Sequence, residues 1–279
     1  MQVLIFGAGG YLGSALSAQF TDVATPRIDI ANVTDVARVL DDICPDVVIN
    51  AAGRTGDSNI DWCENHRLET LHANVTGPLV LLEQCGRRDI RLVHIGTGCV
   101  YSGDNEGVGY RDSDPPNFSG SYYSRSKAWV DQILADFPVL ILRPRMPFDA
   151  SDHPRNLISK LRSYPKLIDV QNSMTSLADF VQVTRMLIER QATGIFNVCN
   201  PGTISPLRVM ELYRELVDPS HPCEVFTMEQ LRKTLLADRS NCMLNTEKLN
   251  GLGIVIRPIH EAMQDVMRQL KQRANERGI

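Results

Sequence analysis

Val3-Leu4-Ile5-Phe6-Gly7-Ala8-Gly9-Gly10-Tyr11-Leu12-Gly13 decides how the chain folds. Four apolar residues in a row suit a short strand buried on both faces, and the glycines after them permit a tight turn into a helical pattern over Tyr11–Phe20. Glycines at 7, 10 and 13, set between a strand and a helix, let the backbone come close to a pyrophosphate resting on the first helical turn. The spacing differs slightly from the commonest dinucleotide fingerprint, so its weight comes from the flanking strand and helix. Gly7, Gly10, Tyr11, Leu12 and Gly13 are the candidate cofactor loop.

The same alternation continues outward. Strands are predicted at Asp22–Ala24, Val47–Asn50, Leu92–Ile95 and Val139–Arg143. Helices are predicted at Val33–Ile43, His66–Cys85 and Tyr123–Ala135, and a late strand at Ile195–Val198 returns to the sheet. Apolar strands alternating with helices imply a parallel sheet covered on both faces. Beyond Arg143 the texture changes: Pro144, Pro147, Pro154 and Pro165 cut the chain into short pieces, followed by helices over Pro206–Val217, Met228–Leu236 and Pro258–Gln272. Thr227 with Gln230 three residues later reads as a capping box, and Pro258 suits a first helical turn. The expected fold is α/β, a Rossmann-like doubly wound parallel sheet in residues 1–147, with a smaller C-terminal substrate-binding lobe in 148–279.

Bulk properties narrow the classes. The 279 residues carry a net charge of -4 and 22% charged residues, with no basic run that would mark a nucleic-acid partner. The apolar runs are strand-sized, so no membrane partner is expected. Met1 leads straight into a strand, which leaves no room for a signal peptide. Seven cysteines without paired spacing fit thiols in a reducing, cytoplasmic compartment and hold no metal pattern.

Dinucleotide sites often place a carboxylate at the end of the second strand, about 20 residues on. Here Thr25-Pro26 is followed by Arg27, which suits a 2′-phosphate and favours NADPH, with NADH the alternative; Asp29 is two residues further and within reach of the adenosine. Ala51-Ala52-Gly53 ends a central strand with small residues where the cofactor should lie, and Asn74 is either a further contact or structural. Tyr123 and Lys127 lie four apart on one predicted helix face. A lysine ammonium beside a phenol favours the phenolate, and a phenol tuned this way passes a proton to a carbonyl oxygen as hydride arrives at carbon. His94, inside a strand, reads as a satisfied core residue.

The glycine loop, Ala51-Ala52-Gly53, Asn74, Thr97, Tyr123 and Lys127 together resemble the extended short-chain dehydrogenase/reductases, whose Thr/Ser, Tyr and Lys form the catalytic triad. Asn50-Ala51-Ala52-Gly53, Asp61-Trp62-Cys63-Glu64, Thr97-Gly98-Cys99, Pro116-Asn117-Phe118, Arg145-Met146-Pro147, Pro154-Arg155-Asn156, Asn172-Ser173-Met174-Thr175, Asn200-Pro201-Gly202 and Arg239-Ser240-Asn241 are similar to the nucleotide-rhamnose synthase branch. That branch is related to the dTDP-4-dehydrorhamnose reductases. The resemblance implies a bifunctional 3,5-epimerase and 4-keto-reductase acting on a nucleoside-diphosphate 4-keto-6-deoxy-hexose, with a UDP- or dTDP-β-L-rhamnose-like product. It implies Cys99 and Lys160 as the epimerase acid and base, with Lys166 the second lysine candidate. Arg145, Met146 and Asn156 are implied on the substrate side, and a homodimer is common in the family. A reductase served by a separate epimerase, or a regulatory subunit that binds NADP without catalysis, are the competing readings.

Overall fold

In the computed structural model, which describes residues 1–56 and 59–277, six parallel strands form one sheet. Five are β1 (Val3–Phe6), β2 (Val23–Ala24), β3 (Val47–Asn50), β4 (Arg91–Ile95) and β5 (Leu140–Arg143), and the sheet runs β2-β1-β3-β4-β5. A later strand, Gly194–Asn197, lies beside β5, with Ile195 opposite Ile141. The strands that line the middle of the sheet are mostly apolar, with Asn50, His94 and Arg143 the buried polar exceptions, and only the first residue of β4 is half-buried, because helices cover both faces. One face packs Val3, Ile5, Ile49, Val93 and Leu142 against Leu16 and Phe180. The other packs Leu4, Phe6, Val48 and Ile141 against Val36, Leu40, Leu81 and Leu134.

Strand order reverses between β1 and β3, so the crevice beyond their carboxyl ends is the switch point where such sheets take ligands. Gly7 follows β1 and Ala51 follows β3, which puts the glycine loop and the Ala51-Ala52-Gly53 turn together there.

The helices as far as residue 189 are α1 (Tyr11–Ser17), α2 (Val33–Ile43), α3 (Asp61–Asn65), α4 (Arg67–Leu71), α5 (Gly77–Gly86), α6 (Tyr122–Leu134), α7 (Leu157–Ser163) and α8 (Leu177–Glu189). The predicted helix over His66–Cys85 is α4 and α5 joined by a π-helical turn at His72–Thr76 that carries Asn74. Such turns re-aim side chains inside a helix, and this one turns Asn74 inward. Helix α8 was not anticipated from the sequence. Its Ser176 cap accepts the Asp179 N–H, and its buried Leu177, Phe180 and Leu187 return the chain to the large sheet after the proline-broken stretch. A second apolar core lies around Phe148, Ile158, Met174, Met210 and Met263. The capping box at Thr227 and Gln230 is present, although its helix stops at Arg232, and the last helix begins at Ile259 and continues to Arg277.

Candidate active site

Two glycines of the opening loop are required by space. Gly7 has φ +81, and a Cβ there would run into the backbone of Ala51 and Ala52; a Cβ on Gly13 would meet the Gly7 carbonyl. The loop is therefore pressed against the turn after β3. Tyr11 donates from its hydroxyl to Asp149 Oδ1 at 2.9 Å and stacks on His153 at 4.8 Å, which ties the loop to the segment after β5. Burial first, and the Asp149 charge second, push its phenol well up.

Beyond β2, Arg27 is exposed and has no ion pair among the described residues. Asp29 is committed elsewhere: its Oδ2 lies 2.7 Å from His72 Nε2, and its Oδ1 accepts the Ala31 N–H at 3.0 Å. Asn74 is buried, and its amide clamps Arg54: Oδ1 accepts the Arg54 N–H at 2.7 Å and Nδ2 donates to the Arg54 carbonyl at 2.9 Å. Of the two readings of Asn74, this geometry is the structural one; it fixes the path of the chain just past Gly53.

Thr97, Cys99 and Tyr123 come together. Thr97 follows β4 and accepts the Cys99 N–H on its hydroxyl at 3.1 Å, capping the 3-10 turn Gly98–Val100. Tyr123, in the first turn of α6, is nearly buried, and burial and then the neighbouring Cys99 raise its phenol pKa, against a hydrogen bond with Thr97. The expectation that Lys127 favours a phenolate fails here. The Lys127 amino end is buried and lies 2.9 Å from His94 Nε2 and 2.8 Å from the Ile95 carbonyl, both on β4. Tyr123 is therefore held as a neutral phenol, a proton donor throughout the neutral range.

Arg145 and Asn156 also differ from expectation. Arg145 is buried and donates to Cys99 Sγ at 3.2 Å, to Ser240 Oγ at 3.1 Å and to the Ser240 carbonyl at 2.6 Å, so it braces the cysteine from inside the fold. Asn156 is fully buried and caps α7; its amide accepts the Ile158 N–H and donates to the carbonyls of Asp149 and Ser151, which leaves it no atom for a substrate. Met146 stands half-buried at φ 42, against the second core. Arg143 is structural: it pairs with Asp131 at 2.9 Å and donates to the Tyr101 hydroxyl.

Lys160, in the last turn of α7, is half-buried and makes no ion pair among the described residues. Burial first, then Arg155 and Arg239, lower its pKa, and so favour its uncharged amine. Arg239 adjoins Ser240, so one short segment links the lysine's surroundings to Arg145 and Cys99. Lys166 does not share this place; it pairs with Glu224 at 3.5 Å. Sequence reasoning missed the supports: Arg239 to Asp61, Arg155 to Thr55 and Gly56, and Arg145 to Ser240. Each joins residues between 95 and 178 positions apart, and no local pattern marks such pairs. Among the described residues no group of three or more His, Cys, Asp or Glu side chains is placed to hold a metal, and no helix is long and apolar enough to cross a membrane.

A nucleotide-binding sheet that carries Thr97, Tyr123 and Lys127 at its carboxyl edge defines an oxidoreductase of the extended short-chain dehydrogenase/reductase type. The chain belongs to the RmlD substrate binding domain family, whose profile matches residues 1–272. It is 37% identical over 257 residues to the bifunctional dTDP-4-dehydrorhamnose 3,5-epimerase/dTDP-4-dehydrorhamnose reductase of Arabidopsis thaliana, covering 88% of this chain and 85% of that one. A trifunctional UDP-glucose 4,6-dehydratase/UDP-4-keto-6-deoxy-D-glucose 3,5-epimerase/UDP-4-keto-L-rhamnose-reductase of the same plant is 36% identical over 90% of this chain, which spans 39% of that longer protein. The crystal structure of the UDP-rhamnose synthase of Acanthamoeba polyphaga mimivirus superposes with a TM-score of 0.92 at 34% identity, over 96% of this chain and 99% of that one.

Proposed function

We propose that the protein is a bifunctional enzyme: a 3,5-epimerase and an NADPH-dependent 4-keto-reductase of a nucleoside-diphosphate 4-keto-6-deoxy-hexose, with a UDP- or dTDP-β-L-rhamnose-like product. The observation that carries the reading is Cys99, two residues past Thr97, close enough to raise the Tyr123 phenol and braced by Arg145. A generic ketone reductase needs the tyrosine but no thiol beside it. The activities of the plant and viral relatives, and their similarity over nearly the whole chain, support the same reading.

The residues present suit a dinucleotide: Gly7 and Gly13 let the loop pack tightly against the turn after β3 at the switch point of the sheet, a Cβ on Gly9 would meet only open space, and Arg27 is free for a 2′-phosphate. When bound, NADPH supplies the hydride for carbon 4. Epimerisation comes first. The hydrogens on C3 and C5 flank the ketone, so their removal gives an enolate. Cys99 and Lys160 serve as the acid and base, and Tyr123 and Thr97 donate hydrogen bonds to the enolate oxygen. In reduction the neutral phenol of Tyr123 gives its proton to the C4 oxygen. One oxygen site thus serves both reactions. The second core is proposed as the floor of the lobe that holds the nucleotide.

The test is solvent exchange in heavy water, with the 4-keto-6-deoxy nucleotide sugar and no NADPH. Deuterium at C3 and C5 is expected, and incorporation at neither carbon sinks the epimerase reading. In Cys99→Ala, exchange is expected to fall at least a hundredfold while NADPH binding persists. In Tyr123→Phe, reduction is expected to be lost with some exchange retained.

A further inference from the structure

His94 stands in the middle of β4, fully buried, with the side chains of Asn50 and Lys127 against its two ring nitrogens. Asn50 Oδ1 accepts the Ala52 N–H at 3.1 Å, which fixes the amide so that its NH2 faces His94 Nδ1 at 3.1 Å. An NH2 only donates, so Nδ1 must be bare and accept. Complete burial keeps this imidazole neutral, and a neutral ring carries one proton. That proton is therefore on Nε2, which faces Lys127 Nζ at 2.9 Å. An ammonium there would set donor against donor. A neutral amine has a lone pair to accept Nε2–H and still donates to the Ile95 carbonyl at 2.8 Å.

We propose that His94 is a positioning residue for Lys127: held by Asn50 as the Nε2–H tautomer, it seats the lysine only as a neutral amine. The lysine therefore takes up a proton from water when it leaves His94 to act beside Tyr123. His94 neither gains nor loses a proton in this exchange. The charged groups bearing on the pair are Asp131, one turn along α6, and Arg143 from β5, which is paired with Asp131. Tyr123 on α6 and Cys99 beyond β4 are the titratable neighbours toward the cleft. Burial brings Lys127 down to about 8, against the pull of Asp131, and the opposition of Nε2–H acts in the same direction as burial. The tautomer and the amine are properties of the free protein. Only their consequence for turnover rests on the reductase reading above.

Two measurements on the free protein test the idea. His94 is the one buried histidine of six, so nitrogen NMR of 15N-histidine-labelled protein should show one ring with bare Nδ1 and protonated Nε2 that does not titrate between pH 6 and 9. A proton on Nδ1, or an imidazolium, overturns the proposal without any variant. The chain has six lysines, and in 13C NMR of lysine-labelled protein the signal assigned to Lys127 by its loss in Lys127→Arg should titrate at or below pH 8. In His94→Gln a side-chain carbonyl turns toward Nζ and accepts from the ammonium, and the midpoint should rise by at least one unit. An unchanged midpoint in folded His94→Gln overturns the proposal even if the variant is less stable. NADPH binding should also weaken with rising pH above the lysine midpoint, approaching tenfold per pH unit, and take up a proton as read by calorimetry in buffers of different ionisation enthalpy. Failure of catalysis in all of these proteins would count against the reductase reading and leave the tautomer measurement standing.

Discussion

The glycine loop and the surroundings of Cys99 both sit at the carboxyl edge of one sheet, but they are held by different means. Around the loop the constraint is steric and involves main chain: Gly7 lies on the backbone of Ala51 and Ala52, and Gly13 on the carbonyl of Gly7. Around Cys99 the constraint is a polar side chain. Arg145, buried, reaches from the end of β5 to Cys99 and to Ser240, and Asn172 accepts from it as well. A backbone cradle tolerates no added atom but needs no partner; a buried guanidinium depends on its partners, here Cys99, Ser240 and Asn172. Substitutions should therefore separate the two regions by mechanism.

The largest effect is expected at Gly13. Gly13→Val places a branched side chain where even a Cβ meets the Gly7 carbonyl and the Ala8 backbone. The loop has to move, and the loss should be on the order of 3 kcal/mol or more of stability, together with measurable NADPH binding. Gly9→Ala is the internal control: a Cβ there meets nothing within 4 Å, and the change should stay within about 0.5 kcal/mol. Denaturant melts and cofactor fluorescence read both. Equal effects at positions 9 and 13 would remove the steric account of the cradle.

Next in size is Arg145→Met, which keeps much of the volume and deletes the guanidinium. Asn172 keeps the Cys242 N–H as a donor and Ser240 keeps the Tyr101 carbonyl as an acceptor, so the cost should be moderate, about 1–3 kcal/mol. Cys99 loses its brace, and deuterium exchange at C3 and C5 should drop at least tenfold while NADPH binding changes less than twofold. Loss of NADPH binding in step with exchange would show that the two regions are one unit after all.

The same contrast explains how much could be read in advance. The loop, the order of strands and helices, and the placing of Thr97, Tyr123 and Lys127 are written in short stretches of sequence, where spacing and the need for glycine act locally. The supports are not: Arg145 meets Ser240 95 positions away, and Arg239 meets Asp61 across 178. Nothing near Asn156 in the sequence separates a helix cap from a substrate contact, since either use needs an amide at that place. Lys127 shows the remaining limit. Its helix and face were legible, but its partner was fixed by His94 and the Ile95 carbonyl on a neighbouring strand.

The smallest effect belongs to the outer end of the cofactor site, where neither steric fit nor burial acts. Arg27 is exposed and unpaired among the described residues, whereas Asp29, the one carboxylate nearby that suits a ribose, is occupied by His72 and the Ala31 N–H. A surface guanidinium meeting a phosphate is worth roughly 1–2 kcal/mol, more than a surface ion pair between side chains because the phosphate accepts two hydrogen bonds at once. Arg27→Gln should therefore weaken NADPH about tenfold, leave NADH within twofold, and spare exchange at C3 and C5. Because the contact is exposed, the NADPH advantage of the unaltered protein should also shrink as salt is raised from 0.05 to 0.5 M, as the Debye length falls. An advantage that persists in Arg27→Gln would place the 2′-phosphate elsewhere, and one insensitive to salt would place its partner inside the fold, which would make the two ends of the site alike in how they hold their ligands.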